Sequence, residues 1–229
     1  MVPRLTFDRL AACGGAAFTL LAFSTLAVAP PTPDVDASAT EIRSYLVNEH
    51  DRFGVSVALM ALAVLALCLA LGYVWRRLEA GSGGTTLATT FVIAGSVAAA
   101  TALAGVLLQG VLAQHATALG DSTLLALYRT WQVVAFMGPP LPMAIALALV
   151  SLSTLRDAVL PRWTGWVALV AAIGGASTAL LNLGSDITAP LVLDLGSFLL
   201  TCVWLTAVTV SAFVAKQPIG QPAHARAAG

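Results

Sequence analysis

The chain has 229 residues, of which 59% are hydrophobic and only 10% are charged, and its mean hydropathy is +0.90. Charged residues usually make up about a quarter of a soluble globular domain, so this composition excludes that class. The formal net charge of zero gives no support for nucleic-acid binding.

Most of the chain consists of six long apolar runs, and nearly all the charged residues lie between them. A helix needs about 20 largely apolar residues to cross a bilayer, because each residue adds about 1.5 Å. Backbone amides in lipid must be paired internally, and these runs do not alternate apolar with polar residues as barrel strands do. The sequence therefore predicts an all-α polytopic bundle with six transmembrane helices, at residues 10–29, 53–74, 86–113, 124–152, 164–184 and 190–215.

The first apolar run admits two interpretations. Arg4 and Arg9 precede it, and the sequence Ala-Val-Ala at 27–29 resembles a signal-peptidase site. The run of about 20 residues, however, exceeds the 7 to 15 apolar residues of a signal peptide, and Pro30 would follow the cut directly. A retained first helix is the favoured interpretation, and a cleaved signal peptide is the alternative.

The connection at 30–52 is the longest between two spans. It opens with three prolines, after which Asp36 or Ser38 is suited to cap a helix. With a period of 3.6 residues, three apolar side chains then share one stripe: Ile42, Leu46 and Phe53. We expect a short amphipathic helix on the outer surface that leads into the second span. A solvated linker helix is the alternative.

The basic residues predict the orientation. Eight of the eleven arginines and lysines lie on one side of the spans, and only Arg43 and Arg52 lie on the other. The positive-inside rule makes the richer side cytoplasmic, and an even span number then places both termini there. Three tryptophans lie at that interface: Trp75, Trp163 and Trp166. We expect a multi-pass plasma-membrane protein with one domain, 1–215, and a disordered cytoplasmic tail, 216–229.

Two ionisable residues fall inside the predicted spans, Arg129 in the fourth and Asp194 in the sixth. Such groups cost at least a few kcal/mol in hydrocarbon, so they normally face the bundle and have partners. Both lie about 12 to 13 Å outside the midpoint of their spans, which predicts a salt bridge. Three amides also lie in the outer halves of spans: Gln109, Gln132 and Asn182. A polar outward-facing chamber is expected, and interhelical hydrogen bonding without a ligand is the alternative.

A second polar set lies at the outer membrane edge and consists of Glu49, His50, Asp51, His115, Asp121 and Asp186. The triplet Glu49-His50-Asp51 has the groups of a divalent-cation site or a general base. The alternative is the solvated end of a helix. All three histidines lie outside the predicted spans, and no metal, nucleotide or catalytic motif occurs. No cofactor and no metal are therefore expected.

The fourth span contains an interruption, Gly138-Pro139-Pro140-Leu141-Pro142. Three prolines remove three amide donors, so the helical hydrogen-bond ladder must break. Broken helices of this type form the binding sites of many transporters. A kink that fits a long helix into the bilayer is the alternative.

Two loop stretches resemble a known family. Residues 33–52 and the sequence Leu-Pro-Arg-Trp-Thr-Gly-Trp at 160–166 are similar to loops of a broad family of alanine-rich bacterial membrane proteins. That family is classed as a domain of unknown function. The resemblance covers nearly the whole chain and implies the six-helix layout, but it implies no activity.

These features predict a non-enzymatic binding or transport-accessory protein that takes a small or lipid-like ligand in the outer chamber. Arg129 and Asp194 would form the charged centre of that site, with Gln109, Gln132 and Asn182 as polar contacts. A structural or partner-binding subunit that forms homo-oligomers is the second hypothesis. An enzyme that acts on outer-leaflet lipid, with a base from residues 49–51, is the third.

Overall fold

The computed structural model describes residues 4–34, 36–81, 84–182 and 188–214. Within those ranges the chain forms eight α-helices, one five-residue π-helical segment and no strand. The α-helices are α1 (Arg4–Val28), α2 (Ala39–Asn48), α3 (His50–Glu79), α4 (Gly84–His115), α5 (Asp121–Gln132), α6 (Pro140–Asp157), α7 (Arg162–Asn182) and α8 (Thr188–Val214). The π-helical segment, Val133–Met137, joins α5 to α6.

Six helical stretches are long and apolar enough to cross a membrane, and they are Arg9–Val28, His50–Glu79, Gly84–His115, Asp121–Asp157, Arg162–Leu181 and Leu195–Val214. The predicted all-α membrane bundle is confirmed. The second, third and fourth stretches have 30, 32 and 37 residues, which is well beyond the about 20 that a span requires. The predicted tail at 216–229 lies outside the described residues.

The long helices pack as a closed ring that follows the order of the chain. The main contacts run from α1 to α3, α4, α6, α7 and α8, and α8 packs back against α1. The interior of this ring is rich in alanine, leucine and valine. The alanines are small enough to let membrane helices approach closely. We call this unit the ring.

Two adjacent glycines in α1 make the closure of the ring possible. A Cβ atom on Gly14 would lie 2.5 Å from the carbonyl oxygen of Ala66 on α3. A Cβ atom on Gly15 would lie 2.5 Å from the carbonyl oxygen of Leu205 on α8. Any side chain at either position would push the helices apart, so α1 is fitted between its two neighbours at backbone contact.

The α1–α8 contact also has hydrogen bonds that cross between the helices. The hydroxyl of Thr209 donates to the carbonyl oxygen of Ala12 at 2.6 Å and accepts from the amide of Ala16 at 3.1 Å. About two turns further along both helices, the hydroxyl of Thr19 donates to the carbonyl oxygen of Cys202 at 3.1 Å. These bonds satisfy polar groups where water is absent, and they fix α1 as a member of the ring.

A second group of buried side chains lies at one end of the ring, apart from the ring interior. It joins α2, α5 and the neighbouring ends of α3 and α4. Its fully enclosed members include Ile42, Leu46, Phe53, Leu124 and Tyr128. We call this unit the cap and define it as residues 30–34, 36–56 and 106–132.

Helix lengths place the cap beyond the hydrocarbon of a bilayer. Arg156 lies in the last turn of α6, and about 20 residues at 1.5 Å each carry the chain from there across a 30 Å core to near Phe136. The same count from Arg76 at the end of α3 reaches about Ser56. On this count the helix α5 lies in the cap, although the apolar stretch Asp121–Asp157 includes it.

Candidate functional site in the cap

The helix α2 forms for reasons visible in the sequence. The hydroxyl of Ser38 accepts a hydrogen bond from the amide of Glu41 at 3.2 Å, so one of the two expected caps is used. Ile42 and Leu46 on the apolar stripe are fully buried. The predicted amphipathic helix is confirmed, and its apolar stripe packs on the cap core.

Aromatic rings fill the interior of the cap. The centroid of the Phe53 ring lies 5.2 Å from that of Tyr45 and 6.5 Å from that of Trp131. Trp131 in turn lies 5.4 Å from Tyr128. Edge-to-face and tilted ring pairs at these distances are favourable beyond the area they bury. The described interior of the cap is thus packed with aromatic rings, and the predicted polar chamber stays a prediction.

Arg43 ties α2 to the turn between α4 and α5. Its Nε donates to the carbonyl oxygen of Ala116 at 3.0 Å, and its Nη2 donates to that of Leu119 at 2.7 Å. Its Nη1 forms an ion pair with Asp121 at 2.9 Å. These two carbonyls lie in the turn, outside any helical hydrogen-bond ladder, and the guanidinium satisfies them. Sequence reasoning missed this role, because two of the partners are backbone atoms more than 70 residues away.

The proline-rich segment at 30–33 is fixed to the cap through its carbonyl oxygens. The hydroxyl of Tyr45 donates to Pro30 at 3.2 Å, and that of Tyr128 donates to Pro33 at 2.7 Å. Arg52 donates to the carbonyl oxygen of Val28 at 3.2 Å. Burial raises the pKa of Tyr45 above its ordinary value, and the neighbouring Tyr128 and Glu49 add to that effect.

A groove of about 450 Å³ lies between this segment and α2, and it is open to the aqueous side. Its walls are Pro31, Thr32, Pro33, Glu41, Ser44, Tyr45, Asn48 and Glu49. The carboxylate of Glu49 is paired with Arg52 at 3.1 Å. No ion pair between described side chains includes Glu41. The groove therefore offers carboxylate, amide and hydroxyl groups, one aromatic ring and an excess of negative charge.

Arg129 does not face the bundle as expected. It is exposed, on the face of α5 opposite the buried stripe of Leu124, Tyr128 and Trp131. None of the ion pairs between described side chains includes it. On the residue count given above, Arg129 lies about 10 Å beyond a 30 Å hydrocarbon layer, where no membrane cost forces it inward.

Gln109 and Gln132 lie at one level on adjoining helices. A Cβ atom on Gly105 of α4 would lie 2.9 Å from Cα of Ala135. The helix α4 and the π-helical segment run antiparallel. One turn from Gly105 towards the cap reaches Gln109 on α4, and one turn from Ala135 towards the cap reaches Gln132 at the end of α5. Both are half-buried, and Oε1 of Gln132 is buried with no hydrogen-bond partner among the described residues.

Three further residues of the predicted sites lie wholly or partly outside the described residues. Asp186 and the side chains of Asn182 and Asp194 lie outside the described residues. The backbone of Asn182 ends α7, and that of Asp194 lies in the first half of α8. The predicted salt bridge between Arg129 and Asp194 stays a prediction.

The outer-edge triplet has structural partners. Glu49 is bonded to Arg52, and Nδ1 of His50 lies 3.2 Å from the carbonyl oxygen of Ala113. Asp51 and His115 are exposed. Within the described residues, no group of three or more His, Cys, Asp or Glu side chains is arranged to hold a metal ion.

The helix break at 138–142 occurs where the prolines predict it. The α-helical pattern stops at Gln132, continues as the π-helical segment and resumes at Pro140. Pro139 and Pro140 have no amide hydrogen, so the carbonyls four residues earlier lose their usual partners. A π-helical turn inside a longer helix is often found at a functional site. Here it lies at the base of the cap.

The chain matches no family model, no curated protein and no solved structure. The resemblance of residues 33–52 and 160–166 to an alanine-rich membrane family therefore stays a prediction. The features established for this chain are a six-helix, multi-pass membrane architecture and a packed cap at one end of it.

Proposed function

We propose that this protein is a membrane-embedded binding protein whose cap recognises a small, positively charged ligand in the groove between residues 31–33 and α2. The observation that carries the proposal is the lining of that groove. Glu41 supplies a carboxylate that is in no ion pair between described side chains, and Glu49 supplies one that it shares with Arg52. Asn48 and Ser44 supply neutral polar groups. Tyr45 supplies an aromatic ring at the same wall, and such rings attract cations over their faces.

The charge around the groove supports a cationic ligand. Segment 30–52 contains five acidic residues and only two arginines. One of these arginines is bound to Asp121 and the other to Glu49. The negative charge that remains would raise the local concentration of a cation and its rate of association. An anionic ligand would meet repulsion from Glu41 and from the exposed Asp34 and Asp36.

The rigidity of the walls supports binding as well. The proline-rich wall is held by the hydroxyls of Tyr45 and Tyr128, and the α2 wall is held by Arg43. A site that is already ordered loses little conformational entropy when it binds, which favours affinity for a small ligand. We include no catalytic role, because Glu49 and His50 are engaged in contacts that hold the start of α3.

We place the cap on the extracytoplasmic side of the plasma membrane, with both termini in the cytoplasm. The basis is the excess of arginine and lysine on the opposite side. A fusion of green fluorescent protein to the C-terminus should fluoresce, and a fusion of alkaline phosphatase should be inactive. An active phosphatase fusion would indicate the opposite orientation, in which the groove faces the cytoplasm.

The binding proposal is tested by calorimetry on the purified protein with putrescine, tetramethylammonium and, as an anionic comparison, acetate. We expect a cation to bind and Glu41→Gln to weaken it by about tenfold, which corresponds to the loss of one charged contact. Asp51→Asn is the matched control, since it removes one exposed carboxylate on the same side that does not line the groove. Equal loss in both variants, or no binding of either cation, would contradict the proposal.

A partner-binding subunit is the second candidate, and the openness of the groove favours it. A groove that is open to the aqueous side can admit the basic side chain of a peptide as well as a free amine. Photo-crosslinking from position 44 in living cells separates the two. A crosslinked protein band that disappears with Glu41→Gln supports a peptide partner.

A further inference from the structure

The side opposite the cap carries a group of exposed side chains that the proposed function does not use. Arg156 lies in the last turn of α6, and Arg162 begins α7. Both are exposed. They are followed by Trp163, which is 54% exposed, and Trp166, which is 59% exposed. We call these four residues the corner cluster.

The turn that carries the corner cluster is tightly fixed. Ala158 ends α6 in the left-handed conformation, with φ of 52°. The hydroxyl of Thr164 donates to the carbonyl oxygen of Pro161 at 2.7 Å, and Leu160 is buried. A Cβ atom on Gly165 would lie 3.1 Å from side-chain atoms of α6. The two arginines are therefore held at adjoining helix ends with little freedom of the backbone.

The charges on this side are unbalanced. No ion pair between described side chains includes Arg156 or Arg162. Arg77 differs, because its Nε donates to the hydroxyl of Tyr73 at 3.1 Å. A Cβ atom on Gly81 would lie 2.8 Å from Val159, so the α3 end stands beside this turn. The charged residues at these helix ends are four arginines, at 76, 77, 156 and 162, and two acids, Glu79 and Asp157.

The depth of the corner cluster relative to the bilayer indicates the kind of partner. It lies where α7 enters the hydrocarbon, since the span Arg162–Leu181 is only 20 residues long. Indole rings favour this interface, and guanidinium groups bind phosphate through two parallel hydrogen bonds. Basic sites between membrane helices commonly take anionic lipid head groups. We propose that the corner cluster binds an anionic phospholipid, with the arginines on its phosphate and the tryptophans along its acyl chains.

The test uses the tryptophans themselves as the probe. The purified protein is placed in bilayers that contain either brominated phosphatidylglycerol or brominated phosphatidylcholine, and bromine quenches the fluorescence of a nearby indole. The preference is the ratio of the association constants for phosphatidylglycerol and phosphatidylcholine that the quenching gives. We expect a preference of about five or more in the wild type, since an arginine near an anionic surface strengthens binding by about that factor. The preference should fall to about one in the double variant Arg156→Gln, Arg162→Gln.

Three controls separate the site from a general charge effect. Arg77→Gln removes one basic group that already has a tyrosine partner, and it should keep the preference. In a Trp75→Phe background, which removes the third indole at this interface, Trp163→Phe with Trp166→Phe should remove the selective quenching, because Trp204 is fully buried and Trp131 lies in the cap. Quenching by brominated phosphatidylcholine should be the same in the arginine variants and the wild type.

The proposal is overturned if the wild type is quenched equally by the two lipids, or if the double arginine variant keeps the preference. If the double variant cannot be purified, each single change must lower the preference. An unchanged preference in both single variants would be equally decisive against the site.

Discussion

The cap and the ring belong to one chain, yet they are stabilised by different interactions. The ring is held by glycine and alanine contacts and by hydroxyl groups that bond to backbone carbonyls. Lipid tails are as apolar as leucine, so close packing has to take the place of the hydrophobic effect there. The cap buries aromatic rings away from water and is fastened by arginine and tyrosine side chains. The two units should therefore fail under different substitutions.

The largest effect is expected in the ring. Gly15→Leu places a side chain where the α8 backbone lies 2.5 Å from the Cβ position, so the ring should not close. We expect aggregated protein in size-exclusion chromatography, because a side chain that overlaps backbone atoms cannot be accommodated by a change of side-chain rotamer. Gly72→Leu is the matched control on α3, where no atom lies within 4 Å, and it should elute as the wild type does. Similar behaviour of the two variants would contradict the closed ring.

A smaller loss of stability, confined to the cap, is expected when a large side chain of the cap core is removed. Phe53→Ala should destabilise the cap by about 3 to 5 kcal/mol, since Phe53 is only 1% exposed and packs on two rings. Hydrogen exchange should then increase in α2 and α5 and stay unchanged in α7. Val47→Ala, on the exposed face of α2, is the control. Faster exchange in α7 as well would mean that cap and ring unfold together.

The next largest loss of stability is expected from substitution of Arg43, for which Arg129 is the comparison. Arg43→Gln should cost about 1 to 2 kcal/mol, because it leaves two carbonyls of the turn without their charged donor. The ion pair with Asp121 adds little, since that carboxylate is 67% exposed. Arg129→Gln should cost less than about 0.5 kcal/mol, as expected for an exposed side chain. Thermal unfolding, followed by tryptophan fluorescence, measures both. A large loss from Arg129→Gln would instead support the predicted bridge to Asp194.

The smallest effect concerns pH. Burial raises the pKa of Tyr45 in the folded protein above its ordinary value of 10. Below pH 10 the tyrosine is protonated in both folded and unfolded chains, so this contribution to stability is present in full. Above pH 10 the unfolded chain ionises first, and the stability of the cap falls as the pH rises. Tyr45→Phe should show a smaller fall between pH 9 and 11 in chemical denaturation, and an equal fall would assign the effect to another group.

Much of the fold was predictable because it depends on local patterns. The length of apolar runs gives the six spans, and Ser38 with the stripe at Ile42 and Leu46 gives α2. The prolines at 139 and 140 give the helix break. Each of these features depends on residues within one or two helical turns of each other, so a single sequence contains the information.

The cap was not predictable in the same way. Leu124 and Leu127 have the same hydropathy whether they meet lipid or the rings of Tyr128 and Trp131, so α5 resembles the start of a span. A fourth span that begins at residue 124 includes Arg129 and predicts an inward orientation, whereas the side chain of Arg129 is exposed in the structure. The contacts of Arg43 join segments far apart in the chain, and only the folded structure brings them together.

The contact between α1 and α8 has a consequence for biogenesis. Ala12 and Thr209, which it joins, are 197 positions apart in the chain. During translation the first helix enters the bilayer long before the last one is made, and its glycine-lined face has no partner on the α8 side until then. Contacts this distant in sequence slow folding, because a long stretch of chain must be ordered before they form. A nascent chain that stops before α8 would thus present an open seam to the insertion and quality-control machinery.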